Sequence, residues 1–202
     1  MTDLTAVALV CTLKPSPERS SSELLATQLL AELRGHGVTG EAIRVVDHDV
    51  KPGVEDDMGE GDAWPEIRDR VRAADILVLT TPTWMGHPTS VAARVLERLD
   101  AELSETDEEG RPGLFGKVAI VGVVGNEDGA HKIVADVFQA LDDVGYSIPA
   151  QGCTYWNDEA MGSRDYQDLD GTPEATAGTT RTAAANAAHL AGILRQAPYP
   201  AG

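Results

Sequence analysis

The sequence predicts an α/β domain on a doubly wound, three-layer sheet of five parallel strands in the order 2-1-3-4-5. Three observations carry that prediction. Ile76-Leu77-Val78-Leu79 and Val118–Val124 are apolar at every position or nearly so, which suits strands buried on both faces beneath helices. Five strand-like runs alternate with five helix-like ones, and right-handed crossovers then make neighbouring strands parallel. Loops of ligand-binding composition follow strands 1, 3 and 4, so the switch in strand order lies between strands 1 and 3, where open α/β sheets bind their ligands.

Ala6–Val10 is the first strand, and Cys11–Ser22 is its loop. A helix is expected from Ser22 to Arg34, with Leu24, Leu25, Leu29, Leu30 and Leu33 on one face and Gly35 as the stop. The loop carries Thr12, Ser20, Ser21 and Ser22 beside Lys14 and Arg19. Hydroxyls and free amides at the positive end of a helix dipole form an anion site, and a terminal phosphate suits it. The plainer alternative is that one serine caps the helix and the others are solvated. Neither the Walker A pattern nor Gly-x-Gly-x-x-Gly is present.

Val38–Val46 is a second strand, placed at an edge by its polar mixture, and Asp47–Asp62 is an acidic loop expected to be solvated surface. Trp64–Arg72 reads as a helix with Pro65 in its first turn, and its Trp64, Ile67 and Val71 share the packing side. The third strand, Ile76–Leu79, is expected to stop before Pro82, leaving Thr80–His87 as a strand-to-helix loop. Thr89 or Ser90 caps the next helix. Within that loop, Pro82, Thr83, Trp84, Met85 and Gly86 offer an indole, a thioether, a hydroxyl and close-approaching backbone for a flat aromatic ligand. Trp84 is either a wall of that space or a buried loop anchor. His87 is either a contact for substrate or a packing or capping histidine.

The charged loop Ser104–Gly113 precedes the fourth strand, Val118–Val124, which opens into Gly125, Asn126, Glu127, Asp128, Gly129, Ala130 and His131. Its glycines allow a tight turn and close approach to a ligand. A helix from Ala130 to Val144 and a fifth strand at Ile148–Thr154 follow. Tyr155–Asp170 is then a long loop with Trp156 and Tyr166, and loops of that length in compact domains tend to be functional. An alanine-rich helix, Glu174–Arg195, packs back on the sheet, and its His189 is assigned no role.

Composition narrows the function. With 202 residues, 42% of them hydrophobic, one core is sufficient and one domain is expected. A net charge of −17 argues against nucleic acid and anionic membrane surfaces as partners. No apolar run approaches the roughly 20 residues of a membrane span, and Met1-Thr2-Asp3 does not open a signal peptide. A cytoplasmic location is expected. Cys11 and Cys153 end apolar runs and read as small buried hydrophobes in preference to a redox pair or metal site, since neither a Cys-x-x-Cys pair nor a Cys/His cluster is present. The acidic strand ends that a response regulator needs are replaced here by Cys11-Thr12 and Thr80-Thr81.

Thr12-Leu13-Lys14-Pro15-Ser16-Pro17 with Ser20-Ser21-Ser22, Thr81–Pro88, Gly125–His131, Tyr155-Trp156 and Ala160–Tyr166 lie in order along nearly the whole chain. Together they resemble the NADPH-dependent FMN reductase-like, or flavodoxin-like NAD(P)H:quinone oxidoreductase, family. The resemblance implies a flavodoxin-like sheet and an FMN whose phosphate lies among Thr12, Lys14, Ser20, Ser21 and Ser22. It rests the isoalloxazine on Pro82–Gly86 and holds the pyrimidine edge with Gly125–His131. Amides of Trp84–Gly86 would lie near N5, and those of Asn126–Gly129 near N1 and O2. Lys14 stands where many relatives have arginine, a point charge in place of a fork, with Arg19 as a second candidate contact. The implied enzyme takes hydride from NADPH or NADH and passes electrons to a quinone, a flavin or a similar small acceptor. A homodimer or homotetramer is expected from the aromatics of the Tyr155–Tyr166 loop. Two alternatives stand beside it: a flavodoxin-type electron carrier steered to protein partners by its acidity, and a flavin-free binding domain on the same fold.

Overall fold

The computed structural model describes residues 4–160 and 162–200. Met1-Thr2-Asp3 and Met161, both used above, lie outside the described residues. In β1, Leu4–Val10, the alternation of a strand sends Val7 and Leu9 to one apolar layer and Ala6, Ala8 and Val10 to the other. Every strand pairing is parallel: β1 lies between β2 (Val38–Arg44) and β3 (Ile76–Pro82), followed by β4 (Val118–Gly125) and β5 (Cys153–Asn157). The observed order is β2-β1-β3-β4-β5, the flavodoxin-like arrangement.

Helices α1 (Ser21–Gly35) and α5 (Glu174–Gln196) cover one face, burying Leu25, Leu29 and Leu33 against Ala183, Ala184, Ala187 and Ala191. The alanines let α5 lie close to both α1 and the sheet. Gly122 does the same for α1 over β4, because a Cβ there would sit 2.9 Å from the Leu25 side chain. The other face is covered by α2 (Trp64–Ala73), α3 (Ser90–Leu99) and α4 (Ala130–Asp143). Trp64 is fully buried there, as its side of α2 required.

The ends of β3, β5 and β2 differ from expectation in ways that bear on the site. β3 runs through Thr80, Thr81 and Pro82, with Pro82 opposite Val124 as the last residue of the ladder. A proline is tolerated at that terminal place because no further donor is asked of it. β5 is not Ile148–Thr154 but Cys153–Asn157, so Tyr155 and Trp156 belong to the sheet and not to a loop. β2 stops at Arg44, and Val45–Asp47 turn as a short 3-10 helix.

The acidic Asp47–Asp62 segment is also not simply solvated. Asp62 pairs with Arg98 of α3 at 2.8 Å, both side chains being fully buried. Arg98 further donates to the carbonyls of Lys51 (2.9 Å) and Glu55 (2.9 and 3.1 Å) and lies 5.6 Å from the Trp64 ring centroid. Among the described residues no helix is long and apolar enough to cross a membrane. Cys11 is buried and Cys153 partly so, and burial pushes both thiols above their ordinary range.

Candidate functional site

The carboxyl ends of β1, β3, β4 and β5 border a cleft of about 190 Å³. Its first wall is the loop into α1. The Thr12 hydroxyl accepts the Lys14 N–H at 3.2 Å, and Ser20 caps α1 by accepting the Glu23 N–H at 3.3 Å. The Ser21 hydroxyl accepts the Gln167 N–H at 3.3 Å, and Ser22 is buried in the helix's first turn. One serine therefore caps, as the plainer reading had it, yet all of Thr12, Lys14, Ser20, Ser21 and Ser22 line the cleft. The loop is fixed from below by the buried Arg44, which donates to the carbonyls of Lys14 (3.3 Å) and Glu18 (2.9 Å) and pairs with Glu23. Asp47 holds it from the side by accepting the Ser16 hydroxyl and its N–H at 2.8 Å, hydrogen bonds that lower the Asp47 pKa.

The second wall is the end of β3. Thr83 donates its N–H to Val124 at 2.9 Å, and its buried hydroxyl faces no protein partner. Pro82, Thr83 and Trp84 line the cleft. Trp84 is 56% exposed, so it walls the opening and does not anchor the loop. Trp84 and His87 exchange backbone hydrogen bonds at 2.9 Å around Met85 (φ 53°) and Gly86 (φ 72°). Positive φ at both central residues marks a two-residue turn of the I′ type.

The Met85 N–H donates to the Glu127 carboxylate at 2.8 Å, so the amides of Trp84 and Met85, expected to face a ligand, are committed within the protein. Behind the turn, Gly129 has φ 121°, and a Cβ on it would lie 2.8 Å from the Cα of Gly86. Only a glycine allows the two loops to seat this closely.

The third wall is Val124, Gly125 and Asn126. Glu127, Asp128, Gly129 and His131 stand outside the lining with Met85, Gly86 and His87. Glu127 is used to hold the turn, and His131 packs edge-on against Tyr155 at 5.0 Å. The imidazole of His87 meets Lys132 at 3.2 Å through Nδ1, and Lys132 also pairs with Asp136 at 2.6 Å.

The fourth wall comes from Trp156 and from Asp165 and Tyr166 on the segment after β5. The two rings lie 5.5 Å apart, and Tyr166 donates to Gln28 of α1 at 2.7 Å. Burial raises the Tyr166 phenol pKa. Trp156 and Tyr166 are buried, at 7% and 2% exposure, and Tyr155 is partly so, which weakens the basis on which a homo-oligomer was expected from this segment's aromatics. Arg19 turns away from the cleft to Asp168, at 3.2 Å, and to the Gln167 carbonyl. It is therefore a clasp for this segment and lies outside the lining. Leu13, Val124 and Asp165 line the cleft although the sequence assigned them no ligand contact. The position of Asp165 beside Tyr166 in a segment already suspected of function was the available signal for one of them.

The family model described as NADPH-dependent FMN reductase matches residues 5–160. The chain is 33% identical over 206 residues to 8-demethyl-8-aminoriboflavin-5'-phosphate synthase of Streptomyces davaonensis, covering 97% of this chain and 80% of that protein. The crystal structure of RosB with bound 8-demethyl-8-formylriboflavin-5'-phosphate superposes with a TM-score of 0.88 at 32% identity, covering 97% of this chain and 82% of that one. A Mycobacterium bovis protein described as divalent metal cation transporter MntH is 38% identical over 199 residues. The match covers 95% of this chain but only 29% of that protein's length. An apo NADH:FMN oxidoreductase, at TM-score 0.63 and 21% identity over 94% of this chain and 89% of that one, shares the fold. The chain belongs to the NADPH-dependent FMN reductase family.

Proposed function

We propose that the cleft holds FMN and that the protein is an oxidoreductase taking hydride from NADPH or NADH and passing electrons to a quinone, a flavin or a similar small acceptor. One observation carries the reading: a hydroxyl-rich helix N-terminus with a lysine, an aromatic-walled slot and an orphaned buried hydroxyl, that of Thr83, share one cleft. An anionic tail and a flat polar-edged ring are the two ends of a flavin mononucleotide. The α1 amides, Thr12, Ser20, Ser21, Ser22 and Lys14 would bind the phosphate. Thr83, Gly125 and Asn126 would meet the ring's polar edge, and Trp84 and Trp156 would exclude water from its sides. Bound flavin supplies the hydride and electron chemistry itself. The chain's part is to fix the ring's position through the hydrogen-bonded 84–87 turn and to keep the slot dry. His87 remains our candidate contact for the acceptor, from the outer side of that turn.

Titration with FMN, then NADPH or NADH oxidation with and without a quinone, tests this reading. Saturable FMN binding and quinone-dependent turnover are expected. Binding without nicotinamide oxidation would favour the electron carrier, and no FMN binding would end the flavin reading.

A second reading has its own support in the RosB relation, at 97% coverage and TM-score 0.88. In it the flavin phosphate is the substrate that is altered. Mass spectrometry of the flavin after incubation separates the two, since a cofactor is recovered unchanged. We also propose a homo-oligomer, now on the exposed Leu13, Trp84 and Met85 at the cleft rim.

A further inference from the structure

The cleft lining contains one cation, Lys14, and one anion, Asp165. They face each other at 3.8 Å, each about half exposed. A carboxylate is an unexpected wall for a site that would receive a phosphate dianion. The neighbouring cations offer no relief, because Arg19 is paired with Asp168 and Arg44 with Glu23. In a chain carrying −17, Lys14 is the residue on which attraction for the anionic end of a ligand falls, and Asp165 already holds it.

From this opposition we infer that Asp165 is a specificity-determining residue, which sets how strongly the cleft prefers a flavin ending in phosphate over one ending in a hydroxyl. The inference rests on the flavin reading above. A phosphate must take Lys14 from Asp165 and then stand near the displaced carboxylate, so both steps reduce its advantage. Riboflavin leaves the ion pair intact and meets neither opposition. The segment need not move for this exchange. Tyr166 is bonded to Gln28, Gln167 to Ser21 and Asp168 to Arg19, so the main chain on one side of Asp165 is held while its carboxylate turns.

Fluorescence titration of FMN and of riboflavin with the parent and with Asp165→Asn tests the inference, Asp165→Ser serving as the second variant. The exchange to asparagine keeps the size and removes the charge. FMN should bind about fivefold more tightly to either variant, the order expected for a half-exposed ion pair, while riboflavin changes less than about twofold. The gain should shrink in about 1 M salt, where the screening length falls to about 3 Å. Unchanged FMN affinity in both variants overturns the proposal. So does equal weakening of both flavins, which would make Asp165 an acceptor for the ribityl hydroxyls. If the parent binds neither flavin, the flavin reading itself fails and this inference falls with it.

Discussion

Arg98→Met replaces the buried guanidinium by a shorter, unbranched neutral chain, and its cost follows from what is left behind. The Asp62 carboxylate keeps the N–H groups of Met58 (2.9 Å), Lys51 (3.1 Å) and Trp64 (3.2 Å). It loses the guanidinium at 2.8 Å, and the Lys51 and Glu55 carbonyls lose their donors. Removing one member of a buried pair costs about 3–5 kcal/mol. Three surviving backbone donors point to the lower end, about 3 kcal/mol, a large part of the roughly 5–15 kcal/mol that stabilises a domain. Urea unfolding at neutral pH measures it. With a slope of about 2 kcal/mol per molar, the midpoint should fall by about 1.5 M. A fall under about 0.3 M would refute the reasoning and make the 48–62 segment ordinary surface.

The pH dependence has a definite sign. Burial raises the Asp62 pKa, but the Met58 N–H, Arg98 and the other N–H donors outweigh it and hold it at about 2. That lies below the roughly 3.9 of an unfolded aspartate, so this stabilisation is complete above the unfolded value and is lost as pH falls towards 2. The gap between parent and Arg98→Met should therefore narrow on acidification. Since residues 48–62 lie outside the cleft lining, folded Arg98→Met should bind FMN like the parent.

Lys14→Ala should weaken FMN by about five- to tenfold and leave riboflavin nearly unchanged, as measured by fluorescence titration. Equal weakening would remove the phosphate from this loop. Trp84→Ala should lower quinone turnover per bound flavin more than it lowers flavin occupancy, and equal turnover would show that the indole only shields the turn. Gly129→Ala combines an unfavourable φ with a backbone clash against Gly86, and about 1–3 kcal/mol of stability should be lost, read as a drop in Tm. Light scattering at micromolar concentration should return the mass of a dimer or tetramer, and a monomeric mass would count against the oligomer.

The strand order was legible because its signals are local and redundant. Two strands apolar on both faces must be central, the polar Val38–Val46 run must be an edge, and hydroxyls at the start of α1 mark the ligand side. β5 was misplaced because Ile148-Pro149-Ala150 has the apolar character of a strand but is spent reaching the sheet. The pairing residues Cys153–Asn157 mix polar and aromatic types. Thr12, Lys14, the three serines, Pro82, Thr83, Trp84, Gly125 and Asn126 were legible as one cleft because each lies at or just after a strand end or at the start of α1. The use of Glu127 to hold Met85, and of Arg98 to hold Asp62, was not. Partners 42 and 36 positions apart meet only through the fold, and their composition matches that of solvated charges.

Arg44 gives the edge strand a purpose that its sparse packing does not suggest. β2 is exposed through residues 39–42, yet its last residue delivers a buried guanidinium to the carbonyls of the loop that follows β1. The ordering of that loop, about 1 kcal/mol or more for each backbone residue fixed, is completed during folding and not on encounter. An arriving anion then meets donors that are already aimed. Arrival should be alike for related ligands, and their differences in affinity should be written in how long each one stays.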